Sequence, residues 1–202
     1  MLKSPPVPRI LLMRPGSTDM DQQGRIKGSL DMPLSDFGRQ QVDQMAQQVR
    51  QWVPRTIYSA PCESAIQTAD HLSQRWIDLG HEVKIKIVED FRNLDHGLWH
   101  GKLIDELRRN HPKQYRRGAE NPDAIQPPGG ESVDQARQRV VRSLKKIVRR
   151  GGDLVAIVMP DPMGQIMRQW LTGQNELGNL WEYEHDDGHW DLIPSHQIRL
   201  PR

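Results

Sequence analysis

Apolar residues recur along this chain in two rhythms, and their alternation predicts the architecture. Ile10-Leu11-Leu12-Met13 is a continuous apolar run, so Arg9–Met13 is expected to be a buried strand. From Gly38 to Trp52 the rhythm changes: Val42, Met45, Ala46 and Val49 fall at i, i+3, i+4 and i+7, the stripe of a core-facing helix. Thr56-Ile57-Tyr58 predicts a second short strand that ends in Ser59-Ala60-Pro61. Cys62, Ala65, Ile66, Ala69, Leu72 and Trp76 place an amphipathic helix behind it, with Cys62 expected to be buried. Val83–Val88 alternates apolar and polar residues, the mark of a half-exposed edge strand.

Residues 101–130 hold two short helical pieces and a Pro-rich stretch (Asn121-Pro122, Pro127-Pro128-Gly129-Gly130), which predict a small cap over a pocket. Ser132-Val133-Asp134-Gln135 has the spacing of a capping box and opens a long helix with Val133, Ala136, Val140, Leu144, Ile147 and Val148 on its core face. Gly151-Gly152 ends that helix. Leu154–Met159 is apolar throughout, a central strand stopped by Pro160-Asp161-Pro162, and Met163–Leu171 returns to helix. Trp181–Glu184 and His189–Ile193 flank Asp186-Asp187-Gly188, the signal of a C-terminal hairpin at residues 181–193. Strands alternating with helices predict an α/β fold, a three-layer α/β/α sandwich with a largely parallel central sheet. With no repeat or linker in its 202 residues, the chain is expected to form a single domain over 1–202.

Composition refines this picture little. Apolar residues make up only 36% and the mean hydropathy is −0.74, so a heavily solvated surface surrounds the periodic core. One cysteine excludes an internal disulfide and suits a reducing compartment. Neither a signal-like apolar start nor a membrane-length apolar run is present, so a cytoplasmic protein without membrane contact is expected. The net charge of +2 advertises no polyanionic partner. Locally the balance differs, because residues 137–150 carry Arg137, Arg139, Arg142, Lys145, Lys146, Arg149 and Arg150 with no acid among them.

Candidate chemistry begins where the first strand ends, at Arg14-Pro15-Gly16. Gly24-Arg25-Ile26-Lys27-Gly28, Asp31-Met32-Pro33-Leu34 and Gly38-Arg39 follow. Later come Ile57-Tyr58-Ser59-Ala60-Pro61-Cys62-Glu63-Ser64, Phe91-Arg92-Asn93-Leu94-Asp95-His96-Gly97-Leu98-Trp99-His100-Gly101, Gly130-Glu131-Ser132 and Val155–Pro162. In this order the motifs resemble the histidine phosphatase superfamily, the phosphoglycerate mutase-like proteins, over residues 9–172. The resemblance implies that fold and a phosphoryl-transfer site at the strand ends. In that family a histidine in Arg-His-Gly attacks phosphorus, a second histidine and two arginines hold the phosphoryl oxygens, and an acid protonates the leaving oxygen.

Carried over residue by residue, the resemblance puts Pro15 at the nucleophile, Pro160 at the second histidine, Ser64 at one arginine and Asn93 at the acid. Only Arg14 remains, as an anion-binding remnant. A proline side chain has nothing to donate or accept, and an amide gives up no proton at neutral pH. General acid catalysis supplies about 10²–10⁴-fold, and one preorganised charge-stabilising donor about 10²–10³, but loss of the nucleophile alone removes the covalent route. The resemblance also puts Asp21 at a family asparagine and Asp161 at a family glycine. If both carboxylates point inward they remodel the pocket, and Arg14 is expected to pair with Asp21 or Asp161.

The expected function is therefore a catalytically inactive, histidine-phosphatase-like protein serving as a scaffold for a protein partner, with no cofactor and no metal. One alternative is a phosphomonoesterase or phosphoglycerate mutase-like enzyme with a substitute nucleophile, for which His96 and His100 beside Trp99 are the candidates. Surface or cap-packing histidines are the preferred reading. A second alternative is a polyanion-binding module built on the basic helix 137–150. That helix lacks interleaved aromatics, so its charges are expected to form a solvated face and nucleic acid is not expected. His185-Asp186-Asp187-Gly188-His189 has ligand-like spacing, yet a hairpin turn explains it without metal. An exposed edge strand leaves room for two copies to pair.

Overall fold

The structure is a computed structural model, and it describes residues 8–150, 152–173, 179, 181 and 190–199. Its elements follow the two rhythms of the sequence. They are β1 (Arg9–Met13), α1 (Asp19–Gln22), α2 (Asp36–Val49), β2 (Thr56–Ser59), α3 (Glu63–Asp78) and β3 (Lys84–Ile87). Then follow α4 (Ile104–Asn110), α5 (Pro112–Glu120), α6 (Val133–Arg150), β4 (Leu154–Val158), α7 (Met163–Thr172) and β5 (Trp190–Ile193). The strands form one sheet in the order β3-β2-β4-β1-β5, parallel except for β5, which runs antiparallel to β1. Helices α2 and α3 pack together, as do α6 and α7, giving the three-layer sandwich.

Position in the sheet explains the composition of β1, β4 and β3. Of the three inner strands, β1 and β4 carry continuous apolar runs and are buried from Ile10 to Met13 and from Val155 to Val158, covered on both faces, whereas β2 alternates buried and half-buried residues. At the edge, β3 alternates Lys-Ile-Lys-Ile and stays largely exposed. Helix α6 opens with the expected capping box: the Ser132 N–H donates to Gln135 Oε1 at 2.9 Å, and the Gln135 N–H to Ser132 Oγ at 3.2 Å. Its six expected core positions are all buried.

Two expectations about these elements need correction. Cys62 is half-buried rather than in the core, because it occupies the N-cap position of α3 where the chain turns out of the sheet. Trp181 lies in a turn, not in a strand; its ring is drawn under α5, where the indole N–H donates to the Tyr115 carbonyl at 2.8 Å. The rest of the expected hairpin turn, including His185, Asp186, Asp187 and His189, lies outside the described residues.

The loop after β1 rests directly on the first turn of α2. A Cβ at Gly38 would sit 2.0 Å from the Ser17 carbonyl oxygen, and one at Gly16 would sit 2.3 Å from the Gly38 oxygen. Both obstacles are backbone, so no side-chain rotation relieves them. Gly38→Ala is expected to lower stability by about 1–3 kcal/mol through overpacking. Urea denaturation checks this, and an unchanged midpoint would show that loop and helix can separate freely.

Candidate functional site

The register of β1 and β4 builds the site. Met13 pairs with Val158, and the Met159 N–H donates to the Met13 carbonyl at 2.9 Å. Arg14-Pro15-Gly16 and Pro160-Asp161-Pro162 therefore leave neighbouring parallel strands side by side, at the carboxyl ends where α/β sheets hold ligands. Pro15 and Pro160 are both buried.

Across this gap Arg14 Nη1 donates to Asp161 Oδ2 at 3.0 Å. The two charges sit in unlike surroundings, since the Asp161 side chain is 6% exposed and that of Arg14 26%. Burial pushes the Asp161 carboxyl above its ordinary range, and Arg14 pulls it back only in part. Asp161 Oδ1 and the nearby Gln165 Oε1 are both buried without a hydrogen-bond partner among the described residues.

Asp21 is placed differently. It is the third residue of α1, and its Oδ2 accepts from the Thr18 N–H and hydroxyl at 2.8 Å each, and from Lys27 Nζ at 2.9 Å. Its acidity thus caps a helix and holds the 24–28 loop. The amides of the Arg14 loop are also engaged: Gly16 N–H donates to Thr68 Oγ1 at 3.2 Å and Ser17 N–H to Gln41 Oε1 at 2.9 Å. The Thr68 hydroxyl in turn donates to the Ser64 carbonyl at 2.8 Å, which ties the loop to the first turn of α3. Ser64 is buried there, its Oγ 3.7 Å from Cys62 Sγ.

Asn93 turns inward to its own backbone, its Oδ1 accepting from the Leu94 N–H at 2.9 Å. Its carbonyl accepts from Arg139 Nη2 at 3.0 Å, and Arg139 Nη1 reaches the Asp90 and Arg92 carbonyls at 2.6 and 2.7 Å. The same guanidinium grips Glu131 with Nη2 on Oε1 and Nε on Oε2. Arg139 therefore departs from the solvated face expected for helix 137–150: it is buried, because this fork gives every charge a partner. Its neighbour Arg137 pairs with Asp123 and Asp134. The available sequence signal for Arg139 was its position one residue before Val140, at the border of the apolar stripe.

His96 and His100 belong to the cap. His96 Nδ1 lies 3.1 Å from the Leu94 carbonyl, which can only accept, so the ring proton sits on Nδ1 and Nε2 is bare. That Nε2 is buried without a partner among the described residues, and burial first, then the neighbouring His100, lowers the His96 pKa to about 4. Its ring packs 6.1 Å from that of Trp181, which also meets Trp99 at 6.0 Å and stacks on Tyr115 at 6.2 Å. His100 Nε2 accepts the His96 N–H at 3.1 Å and the Ser29 N–H at 3.2 Å, so its lone pair is committed to the backbone. Among the described residues no group of three or more His, Cys, Asp or Glu could hold a metal ion. None of the described helices is long and apolar enough to cross a membrane.

Comparison with known proteins fits this geometry. Residues 10–197 match the model of the histidine phosphatase superfamily (branch 1). Phosphoserine phosphatase 1 of Hydrogenobacter thermophilus is 26% identical over 195 residues, covering 95% of this chain and 88% of the relative. A bifunctional protein of Mycobacterium tuberculosis is 27% identical over 165 residues, of which the match spans 43% of the relative's length. Among solved structures, mycobacterial glucosyl-3-phosphoglycerate phosphatase superposes with a TM-score of 0.76 at 22% identity, covering 95% of both chains. At that identity the likeness speaks for the fold.

Proposed function

The chain belongs to branch 1 of the histidine phosphatase superfamily, and from that premise we propose that it is a pseudophosphatase, a member without the family's phosphoryl transfer that acts as a scaffold for a protein partner. One observation carries this reading: Arg14, the remnant of the anion-binding set, is already matched by a carboxylate from the neighbouring strand end. An incoming phosphate must displace Asp161 or wait for its protonation, and meets buried prolines on both sides. A phosphate facing that carboxylate adds like-charge repulsion to the cost of its own desolvation.

Relatives named as phosphatases favour a phosphomonoesterase as the competing reading. It requires a substitute nucleophile. His100 has its Nε2 taken by two amides, and His96 presents its bare nitrogen inside an aromatic cluster.

Turnover separates the two. With p-nitrophenyl phosphate and phosphoserine, the protein is expected to be no faster than its Arg14→Ala variant. Activity above that control overturns the proposal, and its disappearance in His96→Ala or His100→Ala would establish the substitute-histidine enzyme. Asp161→Gly is expected to remove the opposing carboxylate from beside Arg14 and to tighten orthovanadate binding by about tenfold or more without producing turnover. Equal vanadate binding would mean that Asp161 does not guard the arginine.

A further inference from the structure

The opposite end of the sheet carries a second concave surface, where the strands begin. A groove of about 400 Å³ lies there, lined by Arg55, Tyr58, Lys86, Lys146 and Gly152 among others. Its position follows from the topology. Parallel pairing sets Thr56 beside Lys84 and Tyr58 beside Lys86, and alternate residues of a strand share a face. The last turns of α6 bring Lys146 and the buried Ile147 to that face. Helix α6 leaves the edge strand β3 uncovered, so Lys84 and Lys86 are exposed. Gly152 lines the mouth, its backbone at φ +69° and open space where a Cβ would stand.

The charge of this groove is one-sided. Arg55 enters from the loop before β2, Lys86 from β3 and Lys146 from α6, while among the described residues no carboxylate lines it, Asp153 standing in the adjoining hollow. Among the described residues none of the three takes part in an ion pair. Other cations are matched, Arg14 by Asp161, Arg137 by Asp123 and Arg139 by Glu131. Lysines on an edge strand discourage strand addition, which accounts for Lys84 and Lys86. That role asks nothing of Arg55 and Lys146, which arrive from two other elements. Like charges brought together around a concavity repel one another until an anion joins them, and the low-dielectric walls strengthen its attraction.

We propose that this groove binds a small molecule carrying a diphosphate or triphosphate group. The size is that of a small-molecule site, and three cations in one groove suit an anion with its charge spread over several phosphate oxygens. The site is separate from the Arg14–Asp161 pair, which lies at the carboxyl ends of the strands, roughly 15 Å along the sheet. It also relocates the polyanion reading of the basic helix: Arg137 and Arg139 are consumed internally, and Lys146 is left to act with Arg55 and Lys86.

Calorimetric titration with inorganic tripolyphosphate tests this on the whole chain. The expected result is one saturable site that weakens as salt is raised, survives Arg14→Ala, and loses affinity by about tenfold or more in the triple variant Arg55→Gln, Lys86→Gln, Lys146→Gln. All three residues are exposed, so the triple variant is expected to melt at the wild-type temperature. Should it fail to fold, Lys86→Gln and Lys146→Gln alone are each expected to weaken binding. Absence of binding, equal binding by the variants, or loss confined to Arg14→Ala overturns the proposal. A single-stranded oligonucleotide that binds the groove more tightly than tripolyphosphate overturns it in favour of nucleic acid.

Discussion

Replacing Arg139 by methionine is expected to destabilise the protein by about 3–5 kcal/mol, the cost typical of breaking a buried ion pair by removing one partner. The size of the effect follows from what the guanidinium holds. Its side chain is 6% exposed and that of Glu131 13%, so neither charge has water to fall back on. Methionine fills much of the volume but leaves the Glu131 carboxylate with only the longer Arg92 contact at 3.8 Å and the Asp95 N–H, and leaves three carbonyls, of Asp90, Arg92 and Asn93, without the Arg139 donor. Those carbonyls belong to one stretch of loop, so the loss is local as well as global. Proteolysis between Asp90 and Asp95 is expected to accelerate before the whole fold yields. Arg142→Met, on the exposed face of the same helix, is the control and is expected to stay within about 0.5 kcal/mol of wild type. A loss under about 1 kcal/mol for Arg139→Met would show that the loop holds itself without the clamp.

Acid should loosen the cap through His96. The ring is neutral in the folded protein down to about pH 4, whereas in the unfolded chain it takes a proton near its ordinary 6.5. Between those values the unfolded state binds more protons, so stability rises with pH there. The contribution is fully present above 6.5 and is lost as pH falls through about 4. A shift of this size corresponds to roughly 3 kcal/mol. Asp161 works in the opposite sense: burial raises its pKa, so its contribution grows as pH falls and is lost as pH rises through the folded value. Comparing wild type with His96→Leu at pH 7.5 and pH 4.5 isolates the histidine, because Asp161 is common to both. Wild type is expected to lose clearly more stability between the two pH values than the variant does. Parallel losses would mean that the ring gains water or a partner on protonation.

Much of this fold is legible in the sequence because its core elements carry uninterrupted patterns. Ile10–Met13 and Leu154–Val158 read as inner strands since both faces must be apolar, and the capping box of α6 is written in four consecutive residues. The Arg14–Asp161 contact was expressible only as one of two choices. Asp21 and Asp161 are equivalent in composition, and what separates them is local: Asp21 stands three residues after Thr18, where a helix start claims it. The Arg139 clamp was hidden for a different reason. A charge beside an apolar stripe reads as solvated unless its partners are known; Glu131 stands before the helix begins, and the carbonyl partners lie in a loop more than forty residues away. Trp181 is ambiguous in the sequence because an aromatic near a turn signal fits a strand as well as it fits a lid over Gly118, where a Cβ would collide with the indole ring.

The strand order has a consequence during synthesis. β4 lies between β1 and β2, so neither of those strands pairs with the other in the finished sheet. At a translation rate of about 5–20 residues per second, β2 emerges roughly 5–20 s before the strand that joins it to β1. Through that interval β1 and the β2–β3 pair each keep an edge without its β4 partner, and the helices α2 and α3 are the available cover. The proteins that meet this chain on the ribosome therefore meet it with its central slot still empty, and β4 closes the sheet by insertion rather than by addition at an edge.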